Sequence, residues 1–134
     1  MTLLSEFPVY AVLPCSDYDR VRRWYEEKLG MKPDMEEMGN LWYRCAGGTW
    51  FIITKSQYAG TAQNTAAGFT VNGIESLMDD LRTRGVDFLE YDMGEAGKTQ
   101  DGLLVFGEYK VAWLKDSEGN IIELSQVPSP PTSR

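Results

Sequence analysis

The feature that most restricts the fold is a repeat. Residues 9–14, VYAVLP, are an apolar, β-branched run ending at SDYD, where Ser16 or Asp17 reads as a helix N-cap. The following run places Val21, Trp24, Tyr25 and Leu29 on one helical face, with Arg22, Arg23, Glu26 and Glu27 elsewhere, and Gly30 ends it. The same order returns in the second half. AAGFTV reads as a strand and Asn72 as a cap. Ile74, Leu77, Met78 and Leu81 then form an apolar helix face, and Gly85 stops the helix before VDFLEY starts another strand. Asp17 aligns with Asn72 and Gly30 with Gly85 at one common separation, which marks an internal duplication.

Each copy continues into strands. LWYRCAGGTWFIIT reads as a hairpin turning at Gly47-Gly48, and residues 55–65 as a polar connecting loop. The second copy runs through a glycine-containing loop, MGEAGKTQDG, to GEYKVAWLKD and NIIELSQ. Two strand-helix-strand-strand-strand units must pair to bury their sheet faces and helix stripes. The expected fold is α+β: two βαβββ modules, approximately residues 9–54 and 66–126, forming a curved mixed sheet with helices on its outer face and a cavity on its inner one. Residues 1–126 form one domain, and the Pro- and Ser-rich 127–134 a disordered tail.

Charge narrows the partners. Asp and Glu number 20 against 13 Lys and Arg, a formal net charge of −7, which repels nucleic acid and anionic membranes and attracts a cationic small molecule. No stretch approaches the roughly 20 apolar residues of a membrane span. MTLLSEFPVY lacks the basic start of a signal peptide, so a cytoplasmic location is expected. Cys15 and Cys45 have no CxxC spacing and read as buried thiols. The chain has no histidine, which excludes a conventional nucleophilic triad, and no glycine run here sits in a phosphate-loop context.

The order of elements, the WYEEKLGM run (24–31) and the closing DSEGNIIEL run (116–124) together resemble the vicinal oxygen chelate superfamily, which includes glyoxalase I, extradiol dioxygenases, fosfomycin resistance enzymes and bleomycin resistance proteins. The likeness covers residues 9–126. It implies paired βαβββ modules in a homodimer, with a divalent ion held in many members by cavity-facing residues on the first and last strand of each module. By pattern those places fall at Tyr10, Ile53, Ala66 and Glu123, of which only Glu123 keeps an ordinary ligand atom. One carboxylate does not hold a catalytic ion, which takes about three protein ligands. The expectation is therefore no metal and no cofactor.

Strand alternation then gives a cavity lining. Tyr10 and Val12 share a face. Pairing the hairpin across Gly47-Gly48 puts Trp42 and Arg44 with Phe51 and Ile53, Trp113 goes with Lys115, and Ile121 with Glu123 and Ser125. The ligand-binding set is Tyr10, Trp42, Arg44, Phe51, Ile53, Trp113 and Glu123, an aromatic cavity suited to a planar or cationic compound. Each aromatic has a second reading as sheet core, and Arg44 and Glu123 one as a structural ion pair. Three functions follow: a metal-independent protein that sequesters such a compound, as in antibiotic resistance; a lyase or isomerase with Glu123 as catalytic general base; or an interaction module without a small ligand.

Overall fold

The structure is a computed structural model and is described for residues 3–128. Its elements are β1 (Ala11–Cys15), α1 (Tyr18–Leu29), β2 (Met35–Glu37), β3 (Asn40–Arg44), β4 (Trp50–Lys55), β5 (Thr65–Thr70), α2 (Ile74–Thr83), β6 (Leu103–Phe106), β7 (Tyr109–Lys115) and β8 (Ile121–Gln126). Two four-stranded mixed sheets run β1-β4-β3-β2 and β5-β8-β7-β6, with β1 parallel to β4 and β5 parallel to β8. The fold is α+β, built from two βαβββ modules. Residues 129–134 of the expected tail lie outside the described residues.

The first helix starts where the sequence says. The Asp17 carboxylate accepts the Arg20 amide at 3.0 Å, and Gly30, at φ 69°, closes the last turn in the left-handed region that glycine tolerates. The second start differs from expectation. Gly73 rather than Asn72 holds the N-cap place, at φ 60°, and the Ile74 amide donates 2.8 Å to the Gln126 side chain of β8. The VDFLEY segment also departs from a strand. Its pairing is the single bridge Phe88–Leu114, because β6 already occupies the β7 edge from Tyr109 to Ala112.

Both modules turn one sheet face toward the helices and merge there into one core. Leu13, Tyr25, Tyr43 and Ile53 of the first module and Ile74, Met78, Leu114 and Ile122 of the second are each at most 2% exposed. Burying a side chain of this size contributes about 1.5–3 kcal/mol, so the shared core is what makes one unit of two small modules.

The repeat extends further than the sequence suggested. The β3–β4 and β7–β8 hairpins have matching loops, closed by Cys45 N–H to Thr49 O at 2.8 Å and Asp116 N–H to Asn120 O at 2.9 Å. Trp42 pairs with Ile52 as Trp113 pairs with Glu123. This register corrects the expected one. Arg44 lies opposite Trp50, not Phe51, because the turn spans residues 45–49 instead of the two glycines alone. A slip of one residue exchanges faces. Phe51 and Ile53 therefore face the helix-side core, 6% and 0% exposed, and Trp50 and Ile52 share the open face with Trp42.

The two hairpin turns differ in what they reach. Glu118, with no side-chain exposure, accepts the Ser16 and Asp17 amides at 2.8 and 3.2 Å and the Arg20 guanidinium at 2.8 and 3.0 Å. Asp116 accepts the Tyr25 hydroxyl at 2.7 Å, and Asn120 donates to the Pro14 carbonyl at 2.9 Å. This turn ties the second module to the end of β1 and the start of α1. In the matching turn the residues are Cys45, Ala46, Gly47, Gly48 and Thr49, and Thr49 Oγ1 donates only to Ala46 of its own loop. The seam between modules is closed at one end and open at the other.

Burial pushes the Glu118 carboxyl up, but the Arg20 guanidinium and the Ser16, Ser117 and Asp17 donors outweigh it and bring it down from 4.5 to about 2. Because the folded-state value lies below the unfolded one, this stabilisation is present above pH 4.5 and is lost as pH falls toward 2. Glu118→Gln is expected to lower stability by about 2 kcal/mol at pH 7 and to flatten the dependence of urea-unfolding free energy on pH between 4.5 and 2. An unchanged acid limb contradicts the assignment.

Candidate functional site

At the open end of the seam, β1 and β5 leave a cleft of about 570 Å³ lined by Tyr10, Cys45, Thr49, Trp50, Phe51, Gly68, Phe69 and Thr70 among others. Strand alternation sets its walls. Tyr10 and Trp50 come from the open face of the first sheet. Phe51 and Phe69 reach the seam from the core side and meet edge to face, with centroids 6.2 Å apart at 89°. Among the described residues the cleft walls carry no charged side chain, and the nearest carboxylate, Glu123, lies behind Gly68 of the wall.

Above the cleft, Tyr10, Trp42 and Trp50 form an aromatic patch, with centroids 6.1 Å apart for Tyr10–Trp42, 5.9 Å for Tyr10–Trp50 and 4.7 Å for Trp42–Trp50. Tyr10 is 45% exposed. Trp42 Nε1 is buried without a hydrogen-bond partner among the described residues, a donor that a ligand or water acceptor would satisfy.

Glu123 sits on the open face of the second sheet, half-buried, between Gly68 of β5 and Trp113 of β7. Trp113 Nε1–H donates 3.1 Å to Oε1, and Ser125 Oγ–H donates 2.8 Å to Oε2. Each oxygen keeps lone-pair capacity. Gly68 connects this carboxylate with the cleft, because it lines the cleft and a Cβ placed there would lie 3.6 Å from Glu123 Oε2. Trp113 packs on the same face with Tyr91, their rings at 5.2 Å and 87°.

The expected site residues thus separate. Tyr10 and Phe51 line the cleft, Trp42 packs against Tyr10, Glu123 lies behind Gly68 of the cleft wall, and Trp113 donates to Glu123. Ile53 is core. Arg44 is exposed at the hairpin end, and no ion pair joins it to Glu123. Sequence reading missed Trp50 and Gly68. Trp50 was recoverable from the matching hairpin loop lengths, and Gly68 from its place opposite the singled-out glutamate. Cys45 is a free thiol at the cleft wall, which burial, then Asp34, pushes up from the usual thiol range.

No family model and no curated protein matches the sequence. Solved structures do. UcmS2 aligns with a TM-score of 0.65 at 17% identity over 87% of this chain and 94% of its own. The glyoxalase / bleomycin resistance protein from Catenulispora acidiphila aligns at 0.64 and 18%, over 90% of this chain and 97% of its own. The fosfomycin resistance protein FosX from Listeria monocytogenes aligns at 0.64 and 14%, over 90% and 93%. The chain has the vicinal oxygen chelate fold.

In that fold a divalent ion needs convergent donors, and the residues here do not fit one. With the observed register, the place on β4 equivalent to Glu123 is Ile52, and the β1 and β5 residues beside the pair are Val12 and Gly68. Among the described residues, no three His, Cys, Asp or Glu side chains come together as a metal site. Dialysis of untagged protein against EDTA is expected to leave the melting temperature unchanged; a fall of several degrees, restored by one divalent metal, contradicts this reading.

Proposed function

We propose that this chain is a metal-independent small-molecule binding protein of the glyoxalase/bleomycin resistance type, sequestering an aromatic or cationic compound in the cleft between its modules, as in antibiotic resistance. The observation that carries the reading is the cleft of about 570 Å³, walled by Tyr10, Trp50, Phe51 and Phe69. That volume suits a small planar compound. A net charge of −7 draws cations toward it, and Glu123 adds a carboxylate at its edge.

The protein acts in this reading as a cytoplasmic homodimer. Val9, which lines the cleft, is 88% exposed, and Phe7 and Val12, close to it in the chain, are 55% and 54% exposed, an apolar surface that a second copy would cover. No helix of the described residues is long and apolar enough to cross a membrane.

A second reading keeps Glu123 as general base of a lyase or isomerase. It is favoured by a carboxylate held in place by Trp113 and Ser125 with no ion-pair partner among the described residues. In that case Glu123→Gln stops turnover, and the compound leaves the wild-type protein chemically altered.

Fluorescence titration with a panel of planar basic aromatics, followed by mass spectrometry of the released compound, separates these readings. Saturable binding with the compound recovered unchanged is expected, and Trp50→Ala is expected to weaken it about tenfold through lost stacking. Failure of the whole panel to bind, or full affinity in Trp50→Ala, overturns the assignment.

A further inference from the structure

The geometry points to Gly68 as the residue that determines specificity in the cleft, its missing side chain exposing Glu123 to a protonated nitrogen on the ligand and so selecting aromatic cations over neutral aromatics of the same shape. This rests on the binding reading above and sharpens the class of compound bound.

The protein contains its own comparison. Val12 and Ile52 of the first module occupy the places that Gly68 and Glu123 occupy in the second: each pair faces across a parallel β1–β4 or β5–β8 ladder, and each last-strand member lies opposite a tryptophan. In the first module a branched side chain stands on the edge strand, and Ile52 is only 4% exposed. In the second the edge-strand place carries no side chain, and Glu123 is half-buried. The duplicated fold thus has one filled and one vacated copy of the same position, and the vacated one borders the cleft.

Backbone conformation does not require glycine at 68. Its φ lies outside the left-handed region, unlike Gly30 or Gly73, and a Cβ would meet Glu123 Oε2 at 3.6 Å, an ordinary contact. A residue without a conformational or steric need to be glycine is explained here by the space it leaves. Gly in a strand interior marks such close approach by another group.

The carboxylate that this space exposes is prepared for a cation. Trp113 and Ser125 fix one contact on each oxygen, and no cation among the described residues takes the remaining capacity. A ligand nitrogen approaching over Gly68 makes a charge-assisted hydrogen bond while its rings remain among Tyr10, Trp50 and Phe69.

The test compares proflavine, a planar tricyclic cation, with acridone, a neutral tricycle of similar size, by fluorescence titration against wild type, Gly68→Ala and Glu123→Gln, each first checked for a cooperative thermal melt. Wild type is expected to prefer proflavine about tenfold, and both variants to reduce that preference to about one, Gly68→Ala by occupying the approach and Glu123→Gln by removing the charge. A preference that survives in both variants, or that is absent from wild type while both compounds bind, overturns the role of Gly68 and leaves the cleft as a binding site. Binding of neither compound to wild type overturns both readings.

Discussion

The structure depends on one buried carboxylate. Glu118 accepts the amides that lead into α1 and pairs with Arg20, and with Asp116 and Asn120 it fastens the second module's last hairpin to the first module's strand-helix junction. A fully buried charge is tolerated only because each of its oxygens is met by donors. Tyr25 shares in this: its hydroxyl donates to Asp116, and burial followed by that neighbouring carboxylate pushes it well above the usual phenol range, so it remains a donor. The clasp brings the two helix-facing sides into one core and fixes how β1 and β5 lie beside each other.

What the clasp does at one end explains the cleft at the other. A duplicated unit supplies two equivalent turns, and only one carries acidic and amide side chains. The other, with Ala46, Gly47 and Gly48, makes no corresponding reach, and the seam there stays open between aromatic walls. Divergence between the repeats, rather than an added element, produces the candidate binding site. The same divergence places an isoleucine in one module and a glutamate in the other at the centre of each open face.

Much of this was legible in the sequence because the signals were local. Asp17 capping, the Gly30 stop, the helical apolar stripes and the two-module order all follow from residue type and spacing. Glu123 and Trp113 were placed on the open face because period-2 alternation holds within a strand. Errors arose where placement depended on a neighbour. Phe51 and Ile53 went to the wrong face because the register across residues 45–49 is set by backbone bonds inside the loop, not by the two glycines that mark it. Asn72 lost the cap to Gly73 because Gln126, from a strand far along the chain, supplies the acceptor. The importance of Gly68 and of Glu118 was invisible for a similar reason: one acts through absence, the other through partners about 100 residues away.

Indole N–H resonances measured by ¹H–¹⁵N correlation NMR give the most direct test that the seam cleft is the binding site, because the four tryptophans sample distinct places. Trp50 lines the cleft, Trp42 packs against Trp50 with its ring tilted, Trp113 holds Glu123, and Trp24 lies on α1 against Tyr25. Titration with a planar aromatic cation is predicted to shift the signals of Trp42, Trp50 and Trp113 with one common saturation curve and leave that of Trp24 in place. Shifts confined to Trp24, or saturation binding that moves none of the other three, would put the ligand elsewhere on the molecule and contradict the cleft as the functional site.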